Sequence, residues 1–163
     1  MGADKALLRL APDGPTLLES TIQRVAEVAN AVVVIAPDDR DYRRFEVELI
    51  PDDRPDMGVL GGVATALRRF DGSDVLVVAC DHPFLNVDLL RHMAQIDEEC
   101  DVIIPRTLGA SRQGSAVTLQ TLYAIYRATC REPLAKVLER GYATAMDFFG
   151  LVRVRALNEP ELR

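Results

Sequence analysis

Two kinds of hydrophobic pattern alternate along the chain. Residues 17–30 carry apolar side chains at helical spacing. Thr16 and Glu19 form a capping-box pair that predicts the start of this helix. Residues 31–36 and 75–80 are short, continuous apolar runs rich in Val, which is typical of strands buried on both faces. Further strands are predicted over 45–50, 102–104, 116–119 and 152–154, and further helices over 63–70, 86–99, 121–130, 133–140 and from Thr144.

This alternation of buried strands and amphipathic helices predicts an α/β fold with a mainly parallel sheet covered on both faces. Residues 51–62 and 106–114 are predicted to be loops because they are rich in Pro, Gly or polar residues. No internal repeat or linker interrupts the pattern, so residues 1–163 are predicted to form a single domain. In open sheets of this kind, ligands bind beyond the carboxyl ends of the strands.

Composition narrows the class of protein. The chain has 163 residues, 48% of them hydrophobic, and a formal net charge of −6, as expected of one globular domain. No apolar run approaches the roughly 20 residues that span a bilayer, and no basic and apolar leader opens the chain, so we expect a soluble, cytoplasmic protein without membrane contact. The acidic charge argues against nucleic-acid binding. The three cysteines lack metal-site spacing and are predicted to be reduced thiols.

The strongest candidate for chemistry is Asp81, directly after the apolar run 75–80. A carboxylate at the carboxyl end of a strand can hold Mg²⁺, which usually takes one or two protein carboxylates and completes its shell with phosphates and water. The alternative is that Asp81 only stabilises the turn after the strand. Neither His82 nor His92 is given a role, because each lacks a partner in the sequence.

Two further segments have features of ligand-binding loops. Residues 57–62 (Met-Gly-Val-Leu-Gly-Gly) precede a predicted helix, so their backbone can approach a ligand closely and point N–H groups at it. The alternative is a close-packed turn. Asp52, just upstream, can accept hydrogen bonds from a base or sugar or be a solvated loop residue. Lys5 can pair with a phosphate or lie at a frayed terminus.

Four segments taken together resemble molybdenum cofactor guanylyltransferases, members of a wider nucleotidyltransferase superfamily. They are residues 1–5 (Met-Gly-Ala-Asp-Lys), 58–62 (Gly-Val-Leu-Gly-Gly), 80–85 (Cys-Asp-His-Pro-Phe-Leu) and 158–162 (Asn-Glu-Pro-Glu-Leu). The resemblance implies a Rossmann-like, three-layer α/β/α fold of the nucleotide-diphospho-sugar transferase type. It also implies a Mg²⁺-dependent enzyme that transfers GMP from GTP to the phosphate of a molybdopterin-type cofactor and releases pyrophosphate.

The resemblance also implies roles for individual residues. Lys5 and Asp81 match catalytic residues, Lys5 binding the phosphates and Asp81 binding both nucleotide and Mg²⁺. The remaining matches are Asp52, Gly58, Leu60, Gly61 and Gly62 for the nucleotide, and Asn158 for the cofactor side.

Three features depart from the family pattern. Val59 stands where a Pro is usual, and Ala156 stands where the first Asn of the family's ending would be. The family's Leu-Ala-Gly-Gly-x-Ser-x-Arg segment would precede Met1. We therefore expect that the recorded start is late and that the N-terminal strand and the glycine-rich phosphate loop are missing from this sequence.

Two alternatives stay open at the sequence level. One lies within the same chemistry: a cytidylyltransferase for the same kind of cofactor, or a sugar-phosphate nucleotidyltransferase. The other is a non-catalytic homologue that acts as a binding module. The expected partners are GTP and the molybdopterin-type cofactor as substrates, and molybdoenzymes or other cofactor-biosynthesis proteins as protein partners.

Overall fold

The computed structural model describes residues 4–37, 42–82, 84–111, 114–141, 144–158 and 161. The chain divides into two compact units, Met1–Pro51 with Val78–Ile96, and Asp52–Val77 with Asp97–Arg163. The helices are α1 (Leu17–Ala26), α2 (Val59–Arg69), α3 (Val87–Ala94), α4 (Arg131–Leu138) and α5 (Ala145–Phe149). The strands are β1 (Val33–Ile35), β2 (Glu48–Ile50), β3 (Val75–Val78), β4 (Val102–Ser111), β5 (Gly114–Leu119), β6 (Tyr123–Tyr126) and β7 (Val154–Leu157).

The first unit packs α1 and a short parallel sheet around a small apolar cluster. Strands β1 and β2 pair in parallel, with Val33 opposite Glu48 and Ile35 opposite Ile50. The cluster is centred on three buried residues, Ala6, Leu18 and Tyr42, and is extended by Ile22, Val34, Ala36, Phe45, Leu49 and Cys80. It therefore joins a turn near residue 6, helix α1, both strands and the segment that follows β3.

Helix starts in this unit follow the capping chemistry expected from the sequence. The Thr16 hydroxyl accepts from the Glu19 amide at 3.2 Å, and the Glu19 carboxylate accepts from the Thr16 amide at 2.6 Å, which completes the predicted capping box. Asn86 Oδ1 accepts from the amides of Asp88 and Leu89 and starts α3. These two predictions are confirmed, since they rest on local hydrogen bonds that neighbouring residues supply.

The second unit is built on a five-stranded sheet with β4 near its centre. The strand order is β3-β6-β4-β5, and β7 pairs with β4 outside this path. Strand β4 runs antiparallel to β5 and β6 and parallel to β7. The predicted α/β fold is confirmed, whereas the mainly parallel sheet stays a prediction because antiparallel pairs are prominent here.

Two predicted elements between β4 and α4 are wrong. Of the predicted loop at 106–114, residues 106–111 lie in β4 and residue 114 begins β5, and Arg106 pairs with Leu119. The predicted helix over 121–130 is replaced by strand β6 and a 3₁₀ turn at Ala128–Cys130. Ile125 and Tyr126 pair with Ile103 and Val102 of β4 and are buried there. This tertiary pairing outweighs the helical preference that the apolar spacing suggests.

No helix among the described residues is both long and apolar enough to cross a membrane. The three cysteines are free thiols; Cys100 and Cys130 are buried and Cys80 is half-buried. Burial raises the pKa of the Cys130 thiol to about 12, with the Asp101 carboxylate acting in the same direction. Cys130 is therefore a protonated core residue at neutral pH, as the sequence predicts for a thiol without a metal or redox partner.

Candidate active site

Helix α2 begins inside the glycine-rich segment. Gly58 is its N-cap, with φ 54° and ψ −135°, a conformation that L side chains rarely adopt. No side chain caps this end, and the first turn contains no acidic residue. The first-turn amides and the helix dipole together make this end suited to an anionic group. The helix was predicted to begin at Val63; its start at Val59 places the glycines in its first turn.

Gly61 allows the loop before α2 to pack directly against the helix. A Cβ atom at this position would lie closer than 3.0 Å to the Arg54 carbonyl oxygen and 3.3 Å from Asp52 Oδ1. A real side chain would push the backbone apart, so the sequence places glycine here for close approach. We refer to residues 52–54 as the clamped loop.

The clamped loop is held by a buried hydroxyl on α2. Thr65, only 1% exposed, donates from Oγ1 to Asp52 Oδ1 at 3.2 Å and accepts from the Asp53 amide at 3.2 Å. The Arg54 amide also donates to Asp52 Oδ1, at 2.9 Å, and the Arg68 guanidinium pairs with the Asp53 carboxylate. Asp52, predicted to bind the nucleotide, is thus fixed next to the glycine-rich turn.

Leu60 was predicted to contact the nucleotide, and its side chain is 2% exposed. It belongs to the core beneath α2, so only its backbone can reach a ligand. A cavity of about 520 Å³ borders α2 and α4. Its walls include Asp53, Arg54, Arg68 and Arg131 but none of the predicted site residues.

Asp81 lies in a turn just after β3, as the sequence predicts. Its side chain is 56% exposed, and His82 Nδ1 lies 3.5 Å from Asp81 Oδ1. Among the described residues no group of three or more His, Cys, Asp or Glu side chains could hold a metal. A cation here would have Asp81 as a single carboxylate ligand and would need most of its ligands from elsewhere, which is how Mg²⁺ binds together with substrate phosphates.

Lys5 begins a 3₁₀ turn, Lys5–Leu7, that is capped by Asp4. Asp4 Oδ1 accepts from the Ala6 amide at 3.1 Å, and Asp4 Oδ2 accepts from the Tyr42 hydroxyl at 2.7 Å. The Lys5 side chain is exposed, and within the described parts of the chain no group pairs with its ammonium. The backbone of the turn is thus fixed, while the Lys5 side chain is exposed.

Cys80 connects the Lys5 turn to the Asp81 turn. It packs against the cluster that contains Ala6, directly next to Lys5 in the chain. Burial raises the pKa of the Cys80 thiol, and the carboxylates of Asp81 and, more weakly, Asp4 raise it further. Both carboxylates therefore lie within electrostatic range of one thiol. The first unit therefore brings together the segments that carry Lys5 and Asp81, the two predicted catalytic residues, although these segments are far apart in the sequence.

Asn158 follows β7 and is half-buried. Its amide donates to Glu161 Oε2 at 3.0 Å, which anchors the backbone of this segment. Its Oδ1 is buried and has no hydrogen-bond partner in the described parts of the chain. An unpaired buried carbonyl oxygen is costly, so this atom is suited to accept a hydrogen bond from a ligand. Glu159, Pro160 and Leu162 of the same motif lie outside the described residues, as do Met1 to Ala3 and Pro83.

Comparison with known proteins places these features in a family. Residues 1–154 match the MobA-like NTP transferase domain. The chain belongs to this family. The family expected from the sequence is therefore confirmed.

Curated relatives and solved structures agree with this assignment. The chain is 32% identical over its whole length to a probable molybdenum cofactor guanylyltransferase from Pelotomaculum thermopropionicum, of which the match covers 75%. It is 33% identical over 86% of its length to a protein of the same name from Chloroflexus aggregans, of which the match covers 65%. The chain thus spans about two thirds to three quarters of these relatives.

The fold of this MobA-like domain is shared by a crystal structure of molybdopterin-guanine dinucleotide biosynthesis protein A from Archaeoglobus fulgidus. The TM-score is 0.77 at 23% identity, over 99% of this chain and 78% of that one. At this identity the likeness establishes the fold alone.

The predicted site residues of the MobA-like domain fall into two groups. Lys5 and Asp81 lie in the first unit, and Asp52, the glycine-rich turn and Asn158 lie in the second. Sequence reasoning missed Thr65 and Tyr42, which hold Asp52 and Asp4. The sequence signal for Thr65 was a polar residue on the apolar face of α2; for Tyr42 there was none, because its partner is 38 residues away.

Proposed function

We propose that the protein transfers GMP from GTP to the phosphate of molybdopterin and releases pyrophosphate. The observation that carries the proposal is the glycine-rich first turn of α2 with the fixed Asp52 beside it, in a chain that belongs to the MobA-like NTP transferase family. The curated relatives named molybdenum cofactor guanylyltransferase support the choice of nucleotide and acceptor.

In this proposal Asp81 and Lys5 provide the charges that handle the triphosphate. Asp81 is a carboxylate with little competition from protein partners, which suits a Mg²⁺ that arrives with the nucleotide. Bound Mg²⁺ would neutralise negative charge that builds up on the phosphates. Lys5 would place its ammonium on the phosphates, because a compact ammonium group makes a good phosphate partner.

The chemistry needs no general base from the protein. A phosphate oxygen of the molybdopterin attacks the α-phosphorus of GTP, a new P–O bond forms, and the bond from the α-phosphorus to the bridging oxygen breaks with that electron pair leaving on pyrophosphate. The nucleophile is already an anion, so the protein has to position the reactants and neutralise charge.

The second unit would recognise the rest of the substrates. The backbone of Gly58, Leu60, Gly61 and Gly62 would approach the nucleotide closely, and Asp52 would accept hydrogen bonds from its base. Asn158 would offer its unpaired Oδ1 to the cofactor side. The Rossmann-like, three-layer arrangement with a mainly parallel sheet, and a single domain over residues 1–163, belong to the same proposal.

The test is pyrophosphate release by the full-length protein with molybdopterin, Mg²⁺ and each of GTP, CTP and UTP, with the product identified by mass. We expect release with GTP only and a product that carries GMP. Product with CTP or UTP instead of GTP would establish a different nucleotide specificity. No product with any nucleotide, together with no nucleotide binding in calorimetry, would favour a non-catalytic binding module.

A further inference from the structure

The Thr65 side chain makes hydrogen bonds that helix formation alone does not require. It lies in the middle of α2 and is almost completely buried, a place where a polar side chain is costly unless it is hydrogen-bonded. Its hydroxyl reaches out of the helix and makes two bonds to the clamped loop: it donates to Asp52 Oδ1 and accepts from the Asp53 amide. One side chain thus fixes both the backbone and the carboxylate of this loop.

The two oxygens of Asp52 have different surroundings. Oδ1 receives hydrogen bonds from the Thr65 hydroxyl and the Arg54 amide, which together use the two lone pairs of that oxygen. Oδ2 receives none from any residue that the structure describes. It lies 4.0 Å from where a Cβ atom on Gly62 would be, so it faces the first turns of α2. The carboxylate therefore presents one saturated and one available acceptor.

We propose that Thr65 is a positioning residue that sets the base selectivity of this site by locking the Asp52 carboxylate with Oδ2 free. The inference rests on the proposed function, in which Asp52 meets the base of the nucleotide. Guanine carries adjacent N1–H and 2-amino donors, whereas adenine and cytosine present a ring nitrogen acceptor at the corresponding edge. A fixed anionic acceptor thus favours guanine and repels the other two.

The fixing of Asp52 matters because an acceptor that rotates freely can adapt to other bases. Without the Thr65 hydroxyl, Oδ1 keeps only the Arg54 amide, and the side chain regains rotamer freedom. A site built to bond a donor group rejects analogues without that group only while its polar atoms stay in place. We therefore expect loss of selectivity to exceed loss of affinity.

The experiment compares Thr65→Val with Thr65→Ser in the full-length protein by calorimetric titration with Mg²⁺ and GTP, inosine triphosphate or CTP. Inosine triphosphate differs from GTP only in lacking the 2-amino group. We expect the wild type and Thr65→Ser to prefer GTP over inosine triphosphate by about 10-fold, the effect of one hydrogen bond to a charged acceptor. In Thr65→Val this preference falls to about 2-fold or less.

A double-mutant comparison separates this role from a general structural one. In an Asp52→Ala background, Thr65→Val should change the preference for GTP no further, since the two residues act through one contact. Circular dichroism and thermal unfolding check the fold of each variant, and Thr65→Ala replaces Thr65→Val if the latter is unfolded at the assay temperature.

The inference is overturned if Thr65→Val lowers the affinity for all three nucleotides equally, or if its effect on the GTP preference persists without the Asp52 carboxylate. It is likewise overturned, with the proposed function intact, if the wild type binds GTP but does not distinguish it from inosine triphosphate. A wild type that binds none of the nucleotides overturns the proposed function and this inference with it.

Discussion

The two groups of candidate site residues differ in how firmly the fold holds their side chains. In the second unit, Asp52 is bonded by a buried hydroxyl and a backbone amide, and Gly61 lets the clamped loop touch the helix. In the first unit, the backbones near Lys5 and Asp81 are fixed by Ala6 and Cys80, while both charged side chains are exposed.

This difference agrees with the tasks proposed for the two groups. Distinguishing one base from another needs acceptors whose positions do not adapt, so the protein must fix them before the ligand arrives. A triphosphate with Mg²⁺ is a strong, multiply charged ligand that can draw exposed side chains into place by itself. The comparison predicts that substitutions of Lys5 and Asp81 change activity alone, whereas those around the clamped loop change activity and stability together.

The largest effect is expected at Asp81. Asp81→Asn keeps the size of the side chain and removes its charge, so we expect nucleotidyl transfer to fall by at least about 100-fold, as when one group that stabilises charge in the transition state is lost. The stability should change little because the side chain is largely exposed. Pyrophosphate release and urea unfolding measure the two quantities.

The control for Asp81 is Asp88→Asn, an exposed carboxylate on α3 that pairs only with nearby Arg91 among the described residues. It should leave transfer unchanged. A fully active Asp81→Asn protein, or one that unfolds, would contradict the distinction between the two units.

A buried carboxylate outside both groups should show the opposite behaviour. Asp101 accepts from the Arg153 side chain and backbone amide and from Thr129, and these bonds hold the pKa of its carboxyl well below the usual range. Asp101→Asn is expected to cost about 2 kcal/mol of unfolding free energy at pH 7. Transfer measured at a temperature where the variant is folded should be unchanged.

The pH dependence of stability tests whether the ionised Asp101 carboxylate stabilises the folded protein. Because its pKa is lower in the folded protein than in the unfolded chain, its contribution is complete above about pH 4 and is lost as the pH falls toward the folded pKa. Urea unfolding between pH 7 and pH 3 should therefore show a steeper loss below pH 4 in the wild type than in Asp101→Asn. Glu99→Gln, which removes an exposed partner of the same Arg153, should leave the curve unchanged.

The next largest effect is expected at Gly61. Gly61→Ala places a Cβ atom against the Arg54 carbonyl oxygen, so we expect a loss of about 1–3 kcal/mol in stability and weaker GTP binding. Gly62→Ala is the matched control for stability, because its Cβ would meet only Asp52 Oδ2 at ordinary contact distance. Alanine favours the helix, so this variant should be as stable as the wild type or more so. Equal stabilities of the two variants in thermal unfolding would contradict the close packing of the clamped loop.

The smallest effect is expected at Tyr42. Tyr42→Phe removes the hydroxyl that donates to Asp4 Oδ2 and should cost about 1 kcal/mol in stability, with a raised KM for GTP because the Lys5 turn is held less firmly. Tyr126→Phe removes a comparable hydrogen bond, to the Thr121 carbonyl in the second unit. It should match the stability loss without changing KM. If both variants change KM alike, Tyr42 has no special link to the Lys5 turn.

Local signals in the sequence predicted much of the fold. The capping pair Thr16 and Glu19 and the cap at Asn86 placed two helix starts correctly, because the groups that bond are close in sequence. The run 75–80 predicted β3 and the turn that carries Asp81. The same approach failed at 121–130, where the apolar spacing suggests a helix but β4 provides a strand partner from a distance.

The sequence by itself determined the family, the α/β class and the residues on which the proposed chemistry depends, because motifs of charged residues and glycines can be recognised without knowing any tertiary contact. The tertiary structure alone decided how those residues are held. It set the burial of Leu60, the bond from Tyr42 to Asp4 across 38 residues, and the grip of Thr65 on Asp52. This burial and these hydrogen bonds depend on which atoms come into contact when distant segments pack together. The spacing of residues along the sequence does not specify those contacts.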